Sequence, residues 1–334
     1  MAEAQRLISG FRAFQLVVAA CRLEIPELVA SGPKTTAELA AHTETHPRSL
    51  YRMLRGLAAW GFLVEDADGR YESTPVSDLF RSDKPGLRNS TVMLSEVGYQ
   101  SWGELIYTLR TGEPAFEHIF GKGLWEKLAE DPKAVEEFNA AMVETSTRIS
   151  RAFAASYDFA EVHTIVDVGG GNGALLAGVL QAHPNIHGII FDLPQGLAGA
   201  QEKLDAAGLT GRVTLTEGSF FVEVPSGEDL YMLKSIVHDW DDDRAVAILQ
   251  TCRRAMHPGA RLVLVERELP DRIDNPDAAL PNVMSDLHMM VVLGGAERTA
   301  SEYRDLMARA GLRMTRVVPI GNEFCAVEAV VAQA

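Results

Sequence analysis

With 334 residues the chain is longer than one ordinary domain and can bury a large core, so two domains are expected. Hydrophobic residues make up 47% of it, yet no apolar run approaches about eighteen residues, and Arg22 and Glu24 follow the early FQLVVAAC segment. Both a membrane span and a signal peptide are thereby disfavoured. The cysteines, Cys21, Cys252 and Cys325, are odd in number and far apart, so neither a disulfide framework nor a zinc motif follows and a reducing cytoplasm is the expected compartment.

The opening segment reads as one strongly apolar helix. Leu7, Phe11, Phe14 and Val18 form a stripe at helical spacing, widened by Ile8, Val17 and Cys21. A helix apolar over so much of its circumference is a core helix or a subunit interface; at a chain terminus the interface is favoured, and a symmetric homodimer is the simplest assembly. Thr36 is expected to cap a helix over AELAAH, and a second helix spans 47–60 with Leu50, Leu54, Leu57 and Ala58 inward. Strands over 62–65 and 70–73 then flank the turn Asp66-Ala67-Asp68-Gly69.

Helix, helix and β-hairpin make a winged-helix arrangement, whose DNA-binding reading would use Arg48, Arg52 and Arg55. Residues 1–95, however, carry 11 Lys and Arg against 11 Asp and Glu, so no positive excess meets phosphates and a scaffold is preferred. The remaining residues carry 20 basic against 35 acidic groups, the source of the net charge of −15. Such an excess argues against nucleic acid or an anionic membrane as partner. Residues 96–155 form a helical connector: a helix over 99–109, a break at Gly112-Glu113-Pro114, a helix over 124–129, and a long helix over 132–155 with Phe138 and Met142 on one face.

At 164–179 the chain reads TIVDVGGGNGALLAGV. A β-branched run ending in glycine suits a strand buried on both faces. Gly170, Gly171 and Gly173 then allow a sharp turn and close approach of a ligand, and a helical pattern resumes at Ala174. Strand, glycine turn and helix N-terminus in that order make a cradle for a cofactor. The loop fits a dinucleotide pattern (Gly169, Gly171, Ala174) and equally the pattern of S-adenosylmethionine enzymes (Asp167, Gly169, Gly171, Gly173). Asp192, closing the next apolar run, would meet ribose hydroxyls of either. Asp167 leans toward the sulfonium cofactor, because a carboxylate at the strand end meets an ammonium and repels a pyrophosphate.

Beyond the cradle strand and helix alternate: a strand to 191, a helix over 195–207, strands over 213–217 and 230–235, a helix over 243–256 and a strand over 261–268. That rhythm predicts an α/β fold with a doubly wound, Rossmann-like parallel sheet, in which ligands bind at the carboxyl ends of the strands. The segment YMLKSIVHDWDDD ends a strand at Lys234 and delivers the imidazole of His238 to the same rim. Asp241, Asp242 and Asp243 read as a helix cap and dipole complement rather than a metal site.

In order along the chain, IVDVGGGNG, FDLP, EGSFFVEVP, MLKSIVHDW, LVERELP and GGAERTASEY closely resemble the S-adenosylmethionine-dependent O-methyltransferases of the plant caffeate and bacterial antibiotic-pathway type. The resemblance covers nearly the whole chain, winged helix included, and decides for the methyl donor over NAD. It implies a winged-helix dimerisation domain over 1–95, followed over 96–334 by the connector (96–155) and a methyltransferase domain (156–334). It also implies His238 as general base with Asp239 beside it, Glu266 and Glu297 flanking the imidazole, and no metal. Asp167, Gly169, Gly171, Asp192, Leu193, Ser219, Phe220 and Lys234 would line S-adenosyl-L-methionine, released as S-adenosyl-L-homocysteine. Phe138, Met142, Thr145, Leu287, His288, Val291 and Val292 would face a small aromatic acceptor bearing a hydroxyl. Many relatives have aspartate where this chain has Ser219, so the adenosine grip is expected to lean more on Phe220, Asp192 and Lys234. Two other readings stand beside this one, a methyltransferase-like protein with hydroxylase or decarboxylase chemistry and a winged-helix DNA-binding regulator; the complete His238 set and the neutral N-terminal region disfavour them.

Overall fold

A computed structural model describes residues 1–84 and 86–332. The chain divides into two compact units, Met1–Tyr99 with Glu136–Glu144, and Gln100–Val135 with Thr145–Ala334.

The first unit contains α1 (Ala2–Arg22), α2 (Ile25–Ala30), β1 (Lys34–Thr35), α3 (Thr36–Thr43), α4 (Pro47–Ala59), β2 (Leu63–Glu65), β3 (Arg70–Ser73), α5 (Pro75–Asp78) and α6 (Arg88–Val97). The cap of α3 is Thr35, one residue earlier than expected. Its backbone is extended, its hydroxyl accepts the Glu38 N–H at 3.2 Å, and the Glu38 carboxylate accepts the Thr35 N–H at 2.7 Å. On α4 the helical spacing buries Leu50, Leu54 and Leu57 against Ile25, Leu39, Phe62 and Tyr71. The antiparallel sheet β1-β3-β2 turns at Gly69 (φ +72°), where the Asp66 carboxylate accepts the N–H groups of Asp68 and Arg70. Helix α6 was not expected from the sequence; the buried Glu144 carboxylate pins its first turn by accepting Ser90 N–H at 2.9 Å and Ser90 Oγ–H at 2.6 Å. Along α1 the apolar stripe splits. Val18 and Cys21 are buried, whereas Leu7 is 79% exposed, Ile8 66% and Phe11 54%.

Next along the chain are α7 (Tyr99–Gly103), α8 (Leu105–Thr111), α9 (Ala115–Phe120), α10 (Leu124–Ala129) and α11 (Pro132–Ser156); residues 100–135 group with the second unit, and α11 is divided between the two. The helix expected over 99–109 is thus two helices, divided at Glu104, whose dihedrals leave the helical region.

The second unit continues with β4 (Thr164–Val168), α12 (Ala174–Ala182), β5 (His187–Asp192), α13 (Ala200–Ala206), β6 (Val213–Glu217) and β7 (Leu230–Lys234). After these come α14 (Asp242–Ala255), β8 (Arg261–Leu269), α15 (Pro276–Val292), β9 (Arg298–Thr299), α16 (Ala300–Arg309), β10 (Leu312–Ile320) and β11 (Phe324–Val331). Helix α13 starts five residues later than the sequence suggests, because Pro194 and the left-handed Gly199 (φ +74°) keep the intervening chain in turns.

Strand order in the main sheet is β10-β11-β8-β7-β4-β5-β6, with β9 beside β8. The strands from β8 to β6 run parallel, as expected; β10 and β11 pair antiparallel at one edge, so the sheet is mixed. One face packs on α14 and α16 through Val246, Leu249, Tyr303 and Leu306, the other on α11 and α12 through Phe153, Leu176 and Leu180. Because β4 is followed by β5 on one side while β7 lies on its other side, the chain reverses direction across the sheet at β4. The crevice outside the carboxyl ends of β4 and β7 is therefore where such a sheet binds ligands. Among the described residues no helix is long and apolar enough to cross a membrane.

The antiparallel edge is tied down by Glu328, 5% exposed, whose carboxylate accepts from Tyr157 Oη (2.6 Å), Thr315 Oγ1 (2.6 Å) and Arg316 (2.9 Å). Burial pushes its carboxyl up, but the bonds from Arg316, Thr315 and Tyr157 outweigh burial and hold it down at about 2. The stabilisation is then present above the unfolded value of about 4.3, and is lost as pH falls toward 2. Glu328→Gln should therefore destabilise the fold by about 3 kcal/mol at neutral pH. Denaturant melts of both proteins should converge between about pH 4 and pH 2; a gap independent of pH would contradict the assignment.

Candidate active site

The cradle at the end of β4 is made of glycines for steric reasons. Gly169, Gly171 and Gly173 have φ of +70°, +56° and +78°, a region side chains avoid. A Cβ on Gly169 would lie 2.5 Å from Ile236 Cδ1, and one on Gly170 would lie 2.7 Å from Asp167 Cγ. At Gly171 the nearest atom would be Gly196 O at 3.9 Å, so the loop is closed on the protein side and open above Gly171.

Two carboxylates face this loop. Asp192 accepts the Gly171 N–H at 2.8 Å and the Leu193 N–H at 2.6 Å, and burial outweighs these bonds to raise its carboxyl above the usual range. Asp167, 2% exposed, has an Oδ2 with no hydrogen-bond partner. Burial and the Asp192 charge push it up to about 7, with Lys234 offsetting only part. Lys234 ends β7, and burial lowers its ammonium to about 8. Phe220 approaches the Gly169 position at 3.6 Å and belongs to an aromatic group with Phe221 and Trp240, on which Arg244 rests 4.8 Å from the Trp240 ring. Ser219 Oγ accepts the Phe221 N–H at 3.3 Å within this turn.

Beyond Lys234 the chain kinks through Ser235 (φ +53°) into a short 3₁₀ turn, Val237–Asp239, that carries His238. Glu266, on β8 and fully buried, accepts the N–H groups of Ile236 (3.0 Å) and Val237 (2.9 Å). It thus holds the turn, while its other oxygen lies 3.7 Å from His238 Nδ1. The closer partner of the ring is Glu297, whose Oε1 accepts from His238 Nδ1 at 2.9 Å and from Ser285 Oγ at 2.7 Å. His238 Nε2 faces Asp239 Oδ1 at 3.3 Å. Arg298, 4% exposed, fastens the turn from below by donating to the carbonyls of Val237 (3.2 Å) and Trp240 (3.0 Å) while pairing with Asp242 at 2.8 Å.

Burial alone would depress the imidazole, yet the Glu297, Glu266 and Asp239 charges outweigh it and raise His238 to about 10. Glu297 moves the other way: burial raises it, but the His238 charge and hydrogen bond hold it low, so it is the ionised partner. Asp239, pushed by burial to about 7, and Glu266, raised by burial, take up protons more readily. His238, Glu266 and Glu297 are also the group of possible metal ligands found among the described residues, with donor atoms within 4.8 Å of one another. Asp241, Asp242 and Asp243 lie at the start of α14, where Asp241 accepts the Arg244 N–H at 2.9 Å as the cap.

On α15, Leu287 and His288 are half-buried, whereas Val291 and Val292 are buried at 0% and 2% and contribute packing rather than an open wall. Trp102 Nε1–H donates to His288 Nδ1 at 3.2 Å. Burial, reinforced by the His238 charge, lowers the His288 imidazole to about 4. Phe138 and Met142, both half-buried, lie on the stretch of α11 that groups with the first unit, and half-buried Thr145 opens the stretch that groups with the second. Trp102, Ser285 and Arg298 also belong to the site, although the sequence does not single them out. Only Arg298, adjoining Glu297 in the ERT triplet, carried a local signal.

Residues 102–313 match the O-methyltransferase domain family, and residues 5–83 the O-methyltransferase dimerisation domain family. The chain is 41% identical over 314 residues to O-demethylpuromycin-O-methyltransferase of Streptomyces alboniger, covering 93% of this chain and 83% of that one. It is 38% identical over 325 residues to a phenazine O-methyltransferase of Lysobacter antibioticus, covering 97% and 94%. Among solved structures it is similar to an O-methyltransferase from neocarzinostatin biosynthesis in complex with S-adenosylmethionine and 2-hydroxy-5-methyl naphthoic acid. There the TM-score is 0.82 at 34% identity, over 95% of each chain.

Proposed function

The chain belongs to the O-methyltransferase family, acting with S-adenosylmethionine and of the bacterial secondary-metabolite type, and from that premise we propose that His238 is the general base for methylation of a hydroxyl on a small aromatic acceptor, without a metal. The observation that carries this reading is the buried His238–Glu297 contact of 2.9 Å at the rim that also bears the cradle.

The residues present fit the methyl donor. The unpaired Asp167 oxygen suits an ammonium, and Asp192, whose two N–H partners leave further lone pairs, suits ribose hydroxyls. Leu193, Ser219, Phe220 and Lys234 complete that lining. S-adenosylmethionine supplies a methyl group on a positively charged sulfur. The acceptor hydroxyl would give its proton to His238 Nε2 as its oxygen bonds to the methyl carbon and the methyl–sulfur bond breaks, the electron pair leaving with S-adenosylhomocysteine; this requires Asp239 to yield the 3.3 Å contact it holds with that nitrogen. Glu297 meanwhile keeps Nδ1 protonated and stabilises the imidazolium, the role of an orienting carboxylate. Raised to about 10, His238 carries a proton at neutral pH, so the fraction of the enzyme able to accept the hydroxyl proton grows as pH rises toward that value. Charge is lost as phenolate oxygen and sulfonium combine, so a dry pocket favours the step.

The metal-free reading makes a separate prediction. Dialysis against a chelator should leave kcat and the thermal midpoint unchanged, since the one nitrogen in the group, His238 Nδ1, is already held by Glu297, which leaves only the unpartnered Glu266 Oε2 and Glu297 Oε2 as ligands. Loss of activity restored by a divalent ion would place that ion on the His238, Glu266 and Glu297 group instead. For the first unit we infer a winged-helix scaffold that dimerises: the exposed Leu7, Ile8 and Phe11 of α1 need a cover, and a second copy is the simplest one. Free, buried Cys21, Cys252 and Cys325 suit the cytoplasm.

A further inference from the structure

We propose that Trp102 fixes His288 in the tautomer that leaves one N–H, at Nε2, for the acceptor, so that the favoured acceptor carries a carbonyl or carboxylate oxygen beside the hydroxyl to be methylated. The proposal deepens the methyltransferase reading and rests on it for the identity of the site.

An indole nitrogen only donates, so the 3.2 Å contact from Trp102 Nε1 requires a lone pair on His288 Nδ1. A neutral imidazole accepting at Nδ1 carries its proton at Nε2. No residue described takes a hydrogen bond from Nε2, and the ring is half-buried rather than packed away. The ring also stays neutral through a catalytic cycle: burial and the neighbouring His238 charge both oppose a second proton. Two imidazoles at one site thereby take opposite parts. His238, held by Glu297, accepts a proton, and His288, held by Trp102, only donates a hydrogen bond. An N–H that has left water and finds no acceptor is costly, so a ligand oxygen opposite it is selected and a ligand donor is rejected.

Two measurements test this. Nitrogen NMR of isotopically labelled histidine should show His288 as the neutral Nε2–H form at neutral pH, and Trp102→Phe should mix the tautomers. Methyl transfer should then be compared between a hydroxynaphthoate with adjacent hydroxyl and carboxylate and the naphthol lacking the carboxylate. Wild type should favour the first by about tenfold in kcat/KM, the scale of one hydrogen bond. His288→Ala should bring the ratio near unity, His288→Gln, which keeps a donor, should preserve much of it, and Trp102→Phe should fall between. A charged or Nδ1–H His288 in wild type, or a ratio untouched by His288→Ala, would overturn the proposal. If neither compound were methylated, the methyltransferase reading would be at fault, and the NMR result would still decide what Trp102 does.

Discussion

Replacing His238 with alanine should lower kcat for methyl transfer by about 10²–10⁴-fold, the usual contribution of a positioned general base. Affinity for S-adenosylmethionine should change little. The cradle and the base are separate constructions: Gly169–Gly173 and Asp167 belong to the end of β4, whereas His238 hangs from the turn after β7 that Glu266 and Arg298 hold. Truncating the ring leaves those backbone bonds in place. It does leave the buried Glu297 carboxylate with the Ser285 hydroxyl as its remaining hydrogen-bond donor among the described residues, so a modest loss of stability is expected as well. Single-turnover kinetics with calorimetry on the same variant would separate the two effects. Unchanged turnover would mean that orientation of the reacting groups suffices.

Asp167→Asn is expected to weaken S-adenosylmethionine binding by about 10- to 100-fold, the scale of a lost charge-assisted bond. Its pH dependence is the sharper mark. In the free protein burial and Asp192 raise Asp167 to about 7, and an arriving ammonium favours the carboxylate form. Below that value the carboxyl must first give up its proton. Wild-type affinity should consequently fall as pH drops below 7, with proton release visible as a buffer-dependent heat, and the variant should lose this dependence. An affinity flat with pH in wild type would remove Asp167 from the cofactor site.

Much of this was legible in the sequence, for reasons that differ between parts. The cradle could be read because strand, glycines and helix are contiguous and each glycine answers a local steric demand, as Gly169 does against Ile236. The alternation from β4 to β8 was equally clear, since buried parallel strands are unbroken apolar runs. What was hidden depends on contacts between distant segments. Nothing local marks α6, whose first turn is held by Glu144 more than fifty positions away, or Trp102, which meets His288 across |i−j| of 186. The antiparallel β10–β11 edge likewise draws its stability from Tyr157 and Arg261 reaching Glu328. Even within the resemblance, the division of labour between the glutamates needed geometry: Glu297 holds the ring, and Glu266 mainly holds the turn.

The pairing of His238 with Glu297 is tested most directly by the pH profile of kcat/KM in wild type and in Glu297→Gln, measured with one acceptor. The acceptor's own ionisation is common to both curves, so any displacement belongs to the imidazole. In wild type the rate should climb from neutral pH toward about 10, as His238 becomes able to take a proton. In the variant the rising limb should move to lower pH, because a charge that favours the imidazolium is gone, while the plateau drops as the ring loses its hold at Nδ1. Superimposable limbs, with or without a loss of rate, would contradict a base tuned by this carboxylate.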